Sequence, residues 1–136
     1  RYALYPDIYS LADFILYPTG WEGFGNQLIE AFAAHLPAIV FEYPVYKEDI
    51  GPKGFRIVSL GDKVLRESDY TGLVQIPKKV LTEAAKEAVS ILTDPEEYRN
   101  ITLHNVELGK KYFGVHVLQE HLARSIDWAR KLLSSK

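Results

Sequence analysis

Residues 22–30 read Glu-Gly-Phe-Gly-Asn-Gln-Leu-Ile-Glu, and this stretch decides the fold. It follows a short apolar segment, Asp13–Tyr17, whose aromatic and β-branched residues predict a buried strand. Gly23 and Gly25 have no Cβ, so they allow the chain to reverse tightly and let the backbone approach a ligand closely. The pattern therefore predicts a strand, a glycine turn and then a helix over Asn26–Ala34.

The first turn of that helix is a candidate anion site. Its N–H groups have no partner within the helix, and the positive end of the helix dipole points toward whatever lies over the glycine turn. A phosphate or diphosphate fits this position. The alternative is a plain tight turn without a ligand.

The two faces of the predicted helix differ in character when residues are spaced at about 100° around its axis. The arc expected to pack on a sheet comprises Leu28, Ile29, Phe32 and Ala33. Glu30 lies on the opposite side beside small residues, so we expect it to bind polar ligand atoms, with a solvated surface carboxylate as the alternative. Glu22 lies in the turn, where the alternative reading is an acid placed favourably before a helix.

Two further segments complete the predicted sheet. Pro37–Phe41 predicts a second strand buried on both faces, which makes a βαβ unit with parallel strands. Gly54–Leu60 alternates as a third strand would. Ligands of such units bind at the carboxyl ends of the strands, where Glu22 lies. The predicted fold class is α/β, a Rossmann-like parallel sheet flanked by helices.

The remaining segments predict helices and a helical C-terminal region. Pro6–Ala12 predicts a short helix, and Lys78–Thr93 has the pattern of an amphipathic one. Residues 94–97, Asp-Pro-Glu-Glu, are typical of a helix start, and that helix should end near Gly114. The last helix, about Val115–Leu133, has an apolar stripe that we expect to pack on the chain's own sheet. The alternatives are exposure of the stripe and pairing with a second copy.

Composition excludes several classes of protein. The 136 residues are 47% apolar and 25% charged with a net charge of −2, as in an ordinary soluble domain without a nucleic-acid or membrane-surface partner. No apolar run approaches the roughly 20 residues of a membrane span, and no signal-peptide pattern precedes the first strand, so we expect a cytoplasmic protein. Cysteine is absent and the four histidines lack metal-ligand spacing, so we expect no metal site.

From Ala12 to Pro37 the sequence resembles the C-terminal domain of the retaining GT-B glycosyltransferases of family 4. That family carries two glutamates separated by seven residues, with Glu-Gly-Phe-Gly at the first and Glu-Ala-x-Ala after the second, and Glu22 and Glu30 begin the two matching parts. His35 departs from the pattern, since members usually carry glycine there. We expect a left-handed backbone at this position, which histidine tolerates at modest cost.

The resemblance implies a role for each matching residue. Glu22 would bind hydroxyls of the donor sugar as the catalytic-site carboxylate, and Glu30 would bind the ribose hydroxyls of the nucleotide. Leu28 would pack near the nucleoside. The turn expected to lie against the sugar and diphosphate comprises Gly23, Phe24, Gly25 and Asn26. The family holds its diphosphate without a metal, so no metal and no cofactor are implied.

The resemblance also implies that residues 1–136 are part of a C-terminal nucleotide-sugar-binding domain. The N-terminal domain that holds the acceptor would be absent, as would an arginine and a lysine for the diphosphate upstream of Arg1. We therefore expect a parent hexosyltransferase and an isolated chain that binds donor weakly without transferring sugar. The alternatives are a non-catalytic nucleotide-binding module and an α/β interaction domain with inert glutamates.

The segment Glu42–Lys53 is expected to be a loop beside the donor pocket. Its end resembles a family branch with Asp-Ile-x-Pro-Lys-Gly-Phe, some members of which use glycerate derivatives as acceptors. Three cations in and after this segment could neutralise phosphate, although a solvated surface role is expected for all of them. They are Lys47, Lys53 and Arg56.

Overall fold

Three short parallel strands form the central sheet in a computed structural model that describes residues 5–67 and 74–134. They are β1 (Ile15–Tyr17), β2 (Ala38–Val40) and β3 (Val58–Ser59). Strand β2 is central, because Ile39 pairs with Leu16 on one side and with Val58 on the other. The predicted Rossmann-like α/β arrangement is confirmed.

Helices flank this sheet and make up most of the C-terminal region. They are α1 (Asn26–Ala33), α2 (Lys78–Thr93), α3 (Pro95–Phe113) and α4 (Val115–Ser134). Each agrees with its predicted range to within a residue or two. The short helix expected over Pro6–Ala12 is a 3-10 helix, Tyr5–Leu11. None of the helices in the described ranges is long and apolar enough to cross a membrane.

Helix α3 begins at the predicted cap. The Asp94 carboxylate accepts hydrogen bonds from the N–H groups of Glu96 and Glu97, at 3.0 and 3.1 Å. These bonds satisfy two of the amides that a helix start leaves without partners. The capping pattern read from the sequence therefore fixes the boundary between α2 and α3.

Two segments differ from their predicted structure. Glu42–Lys53, expected as a loop, contains a π-helical turn, Tyr46–Ile50, and a 3-10 turn, Gly51–Lys53, because Tyr46 and Ile50 are buried and hold one side of it in the core. The polar segment Gly61–Thr71 contributes one strand of a small antiparallel pair. This pair comprises β4 (Arg66–Glu67) and β5 (Val74–Gln75), and residues 68–71 lie outside the described ranges.

The third predicted strand, Gly54–Leu60, is shorter than expected because a side chain replaces part of the strand ladder. Asn105 of α3 is fully buried, accepts a hydrogen bond from the Arg56 N–H at 2.9 Å and donates one to the Arg56 C=O at 2.8 Å. The backbone of Arg56 is thereby satisfied without a neighbouring strand. These bonds also fix α3 against the approach to β3.

Helix α1 packs its apolar side into the core beside the sheet. Leu28 and Phe32 are fully buried, as predicted, and the Phe32 ring stacks on Phe55 with centroids 4.9 Å apart. Ala31 is buried and Ala33 is exposed, which corrects the predicted arc. The buried face is rotated because α3 packs against α1 as well as the sheet does.

Helix α4 contradicts the expectation that its stripe packs on the chain's own sheet. No side chain between Val115 and Ser134 is buried, and Trp128 and Leu133 are 67% and 77% exposed. The main packing partner of α4 is α3. A 20-residue helix is about 30 Å long, which is more than three strands of two or three residues can cover. Self-association through this stripe stays a prediction.

Candidate functional site

Of the two glycines in the turn after β1, Gly25 has the left-handed backbone that glycine permits, whereas Gly23 has no positive φ. Gly25 is the residue before α1 and has φ 102°, in the left-handed region, while its carbonyl accepts hydrogen bonds from the N–H groups of Leu28 and Ile29. A Cβ added at Gly25 would overlap the hydroxyl of Tyr43. Glycine is therefore required here both for its conformation and for space.

Two tyrosines that the sequence analysis did not single out hold this turn in place. Tyr43 is fully buried and donates a hydrogen bond to the Phe24 carbonyl at 2.8 Å. Tyr17, at the end of β1, donates to Glu22 Oε2 at 3.0 Å, while Glu22 Oε1 accepts from the Gly23 N–H at 3.2 Å. Both oxygens of Glu22 are thus oriented from the protein side. The one sequence feature that could have indicated this role is a tyrosine near the carboxyl end of each of two neighbouring strands.

The second glutamate of the motif lies on the open side of α1. Glu30 is exposed, and its Oε2 accepts a hydrogen bond from the Tyr9 hydroxyl at 2.8 Å. A carboxylate oxygen has two lone pairs, so Glu30 keeps capacity for further donors. Its placement fits a group that accepts hydrogen bonds from ligand hydroxyls.

A cleft of about 570 Å³ runs along α1 past Glu30. Phe24, Asn26 and Glu30, all predicted site residues, line it on the α1 side. The opposite side is formed by Lys53, by the junction of α3 with α4 and by the first turns of α4. The residues from that junction and from α4 are Tyr112, Phe113, Gly114, Val117, Leu118 and His121. The cleft lies in the size range of small-molecule sites, about 300–1,000 Å³.

Aromatic rings connect the glycine turn to the far wall of the cleft. Phe113 meets Phe24 edge to face, with centroids 5.4 Å apart and planes at 83°, and stacks on Phe55 at 6.0 Å. Lys53 Nζ lies 5.5 Å from the Phe113 centroid and 5.8 Å from that of Tyr112. Both distances are within the range of cation–π attraction. No local sequence pattern places Tyr112 or Phe113 in the site, because only the tertiary fold brings them to α1.

Other predicted residues lie apart from this cleft. Leu28 is fully buried among core side chains, so its contact with a nucleoside stays a prediction. Gly23 is exposed, with no atom within 4 Å of the position of an added Cβ. His35 has φ 61°, which confirms the predicted left-handed backbone. Within residues 5–67 and 74–134, no group of three or more histidine or acidic side chains could hold a metal ion.

The pKa of Tyr43 leads to a pH-dependent prediction. Burial, and to a smaller extent the charge of Glu22, raise this pKa from 10.0 to about 12. The folded protein holds the proton more tightly than the unfolded chain, so the stabilisation is complete below the unfolded pKa and is lost as the pH rises toward the folded one. We expect Tyr43 to account for a loss of about 1 kcal/mol in the free energy of unfolding between pH 9 and 11.

Urea denaturation at several pH values measures this loss. A Tyr43→Phe variant is less stable at neutral pH because the hydrogen bond to Phe24 is missing, but its stability should decline less steeply above pH 9. Parallel pH curves for the wild type and the variant would contradict the assignment.

Comparisons with known proteins identify the family of this chain. Residues 3–105 match the family described as Glycosyl transferases group 1, so the chain belongs to that family. The resemblance drawn from Ala12–Pro37 is confirmed. Mannosylglucosylglycerate synthase of Thermotoga maritima is 44% identical over 124 residues, which are 91% of this chain and 28% of that protein.

A second relative gives the same result. Mannosylglucosylglycerate synthase of Petrotoga mobilis is 44% identical over 107 residues, 79% of this chain and 24% of that protein. The chain therefore spans about a quarter of the length of the curated relatives it matches. No solved structure matches the chain significantly.

Proposed function

We propose that this chain is the donor-binding part of a retaining hexosyltransferase that uses a nucleotide-diphosphate sugar. The observation that carries the proposal is the arrangement of Glu22, the Gly25 turn and Glu30 around the start of α1. One carboxylate that accepts hydrogen bonds, Glu22, precedes the N-terminus of α1, which favours an anion, and a second, Glu30, follows in the next turn of the helix. Such a site would recognise a diphosphate that carries a hydroxylated group at each end, as a nucleotide-diphosphate sugar does.

Each residue has a role in this proposal. Glu22, with both oxygens oriented, accepts hydrogen bonds from the donor sugar at the reacting end. The amides of Asn26 and Gln27, which precede the two amides bonded to the Gly25 carbonyl, stabilise the diphosphate as negative charge develops on it during departure. Glu30 accepts the ribose hydroxyls. No metal and no cofactor enter the proposal, since amides and cationic side chains neutralise the diphosphate.

The acceptor is inferred from the relatives. Both are named for the synthesis of mannosylglucosylglycerate, and the segment Asp49–Phe55 carries the pattern associated with glycerate-type acceptors. We infer that the parent enzyme transfers a hexose, in the cytoplasm, to a glycoside that contains glycerate. Transfer would require the acceptor-binding domain, so this chain by itself is expected to bind donor without turnover.

A ligand titration with a Glu30→Gln variant tests the donor-binding role. NMR shifts of the chain are followed with UDP, GDP, ADP and their glucose and mannose conjugates. The variant keeps its shape but loses the charge that strengthens each ribose hydrogen bond, so binding should weaken by roughly 1.5–3 kcal/mol, which is about tenfold to a hundredfold.

The matched control is Glu83→Gln on the surface of α2, where Glu83 pairs only with Lys79 at 3.9 Å. It should leave affinity unchanged. Equal affinity of the Glu30→Gln variant and the wild type would favour the interaction-domain alternative, and no binding of any nucleotide would contradict the donor role of this chain.

A further inference from the structure

Lys53 differs from Lys47 and Arg56, the two other cations in and after its segment, in what neutralises its charge. Lys47 pairs with Asp62 at 2.5 Å, and the Asp62 contact raises the pKa of Lys47. Arg56 pairs with Glu97 at 2.5 Å. Among the side chains that the structure describes, no carboxylate forms an ion pair with Lys53.

The immediate partners of Lys53 leave its positive charge in place. Its Nζ donates a hydrogen bond to the Asp49 carbonyl and lies beside the rings of Tyr112 and Phe113. The carbonyl dipole and the quadrupoles of the two rings attract the ammonium group, but neither supplies a negative charge that would neutralise it. Lys53 is also half-buried, and its side chain lines the cleft. The arrangement leaves an oriented cation that an anion can reach from the cleft.

The rest of the cleft defines what kind of anion would bind. Glu30, in the same cleft, accepts hydroxyl donors and repels ligands that consist of negative charge alone. The side chains of Ile29, Phe113 and Val117 supply apolar surface between polar groups. A fitting ligand therefore combines hydroxyl groups, a ring or carbon face, and one anionic group.

We infer that Lys53 is the anion-binding residue of this cleft and takes the phosphate or carboxylate group of a hydroxylated ligand. The inference rests on the proposed function, because the hydroxyls of that ligand bind at Glu30. Two sources share this chemistry: the diphosphate of a nucleotide and the carboxylate of a glycerate-containing glycoside. In either case Lys53 makes the cleft prefer a negatively charged ligand over a neutral one of similar shape.

The test compares charged ligands with neutral counterparts of similar shape. The chain is titrated by NMR with UDP, GDP and ADP beside their nucleosides, and with glucosylglycerate beside glucosylglycerol. Lys53→Gln should weaken binding of the charged member of the responsible pair about tenfold and change the neutral member less than twofold. Lys53→Arg keeps the charge and should restore most of the affinity. Lys47→Gln, which removes a cation outside the cleft, is the matched control.

The outcomes separate this inference from the donor-binding proposal. If Lys53→Gln removes the preference for the charged ligand only among nucleotides, the group bound by Lys53 is a phosphate. If it removes that preference only for glucosylglycerate over glucosylglycerol, the group is a carboxylate. Nucleotide binding that depends on Glu30 but is equal in the Lys53→Gln and Lys47→Gln variants overturns the anion site and leaves the donor role standing. If glucosylglycerate binds in a way that depends on Lys53 and no nucleotide binds, the anion site stands and the donor role is overturned. If no charged probe binds, both fail.

Discussion

A Gly25→Ala substitution is expected to lower the free energy of unfolding by roughly 2–5 kcal/mol and to abolish nucleotide binding. The left-handed φ of 102° at this residue is unfavourable for alanine by about 1–2 kcal/mol. In addition, the new methyl group would overlap the Tyr43 hydroxyl, which is fully buried and cannot move into solvent. Relief requires a shift of the turn, and that shift displaces the carbonyl of Phe24 and the first amides of α1.

Urea denaturation and nucleotide titration of the same variant measure the two effects. Gly23→Ala is the matched control for stability, because Gly23 has no atom within 4 Å of an added Cβ and no positive φ. Its stability should change by less than about 0.5 kcal/mol. Adding Tyr43→Phe to Gly25→Ala removes the overlap but not the backbone strain, so the double variant should be more stable than additivity predicts. Equal stability of the Gly25→Ala and Gly23→Ala variants would refute this account of the turn.

The sequence was informative wherever the structure depends on neighbours along the chain. The βαβ unit, the glycine turn, the Asp94 cap and the positive φ of His35 each follow from patterns a few residues long. Strand lengths and the segment Glu42–Lys53 were predicted less well, because tertiary contacts decide them. Asn105 replaces strand pairing for Arg56, and nothing in a local pattern indicates that an asparagine far along the chain will do so.

The candidate site divides in the same way. Glu22, Gly25 and Glu30 were found from their spacing, but the hydroxyls that hold Glu22, Glu30 and the turn come from Tyr17, Tyr9 and Tyr43. The stripe on α4 shows a different limit. Its pattern is apolar whether or not a partner belongs to the same chain, so periodicity predicted the helix correctly and its packing wrongly.

A Phe32→Ala substitution is expected to lower the free energy of unfolding by about 3–5 kcal/mol. Phe32 is fully buried and stacks on Phe55, with centroids 4.9 Å apart and planes at 12°. Phe55 also stacks on Phe113, whose edge-to-face partner is Phe24 in the glycine turn. The cavity left by the missing ring therefore lies at one end of an aromatic series that reaches the cleft.

This series makes the substitution informative about function as well as stability. Phe32→Leu fills most of the volume and should lose less than about 1.5 kcal/mol, whereas Phe32→Ala should also shift the NMR resonances of Phe113 and weaken ligand binding at Lys53, which lies against that ring. Denaturation curves and titrations of both variants, under conditions where each is still folded, measure the two effects. A Phe32→Ala protein that loses stability but keeps wild-type affinity would show that the core and the cleft are independent. A parallel loss of both would show that core packing positions the cation.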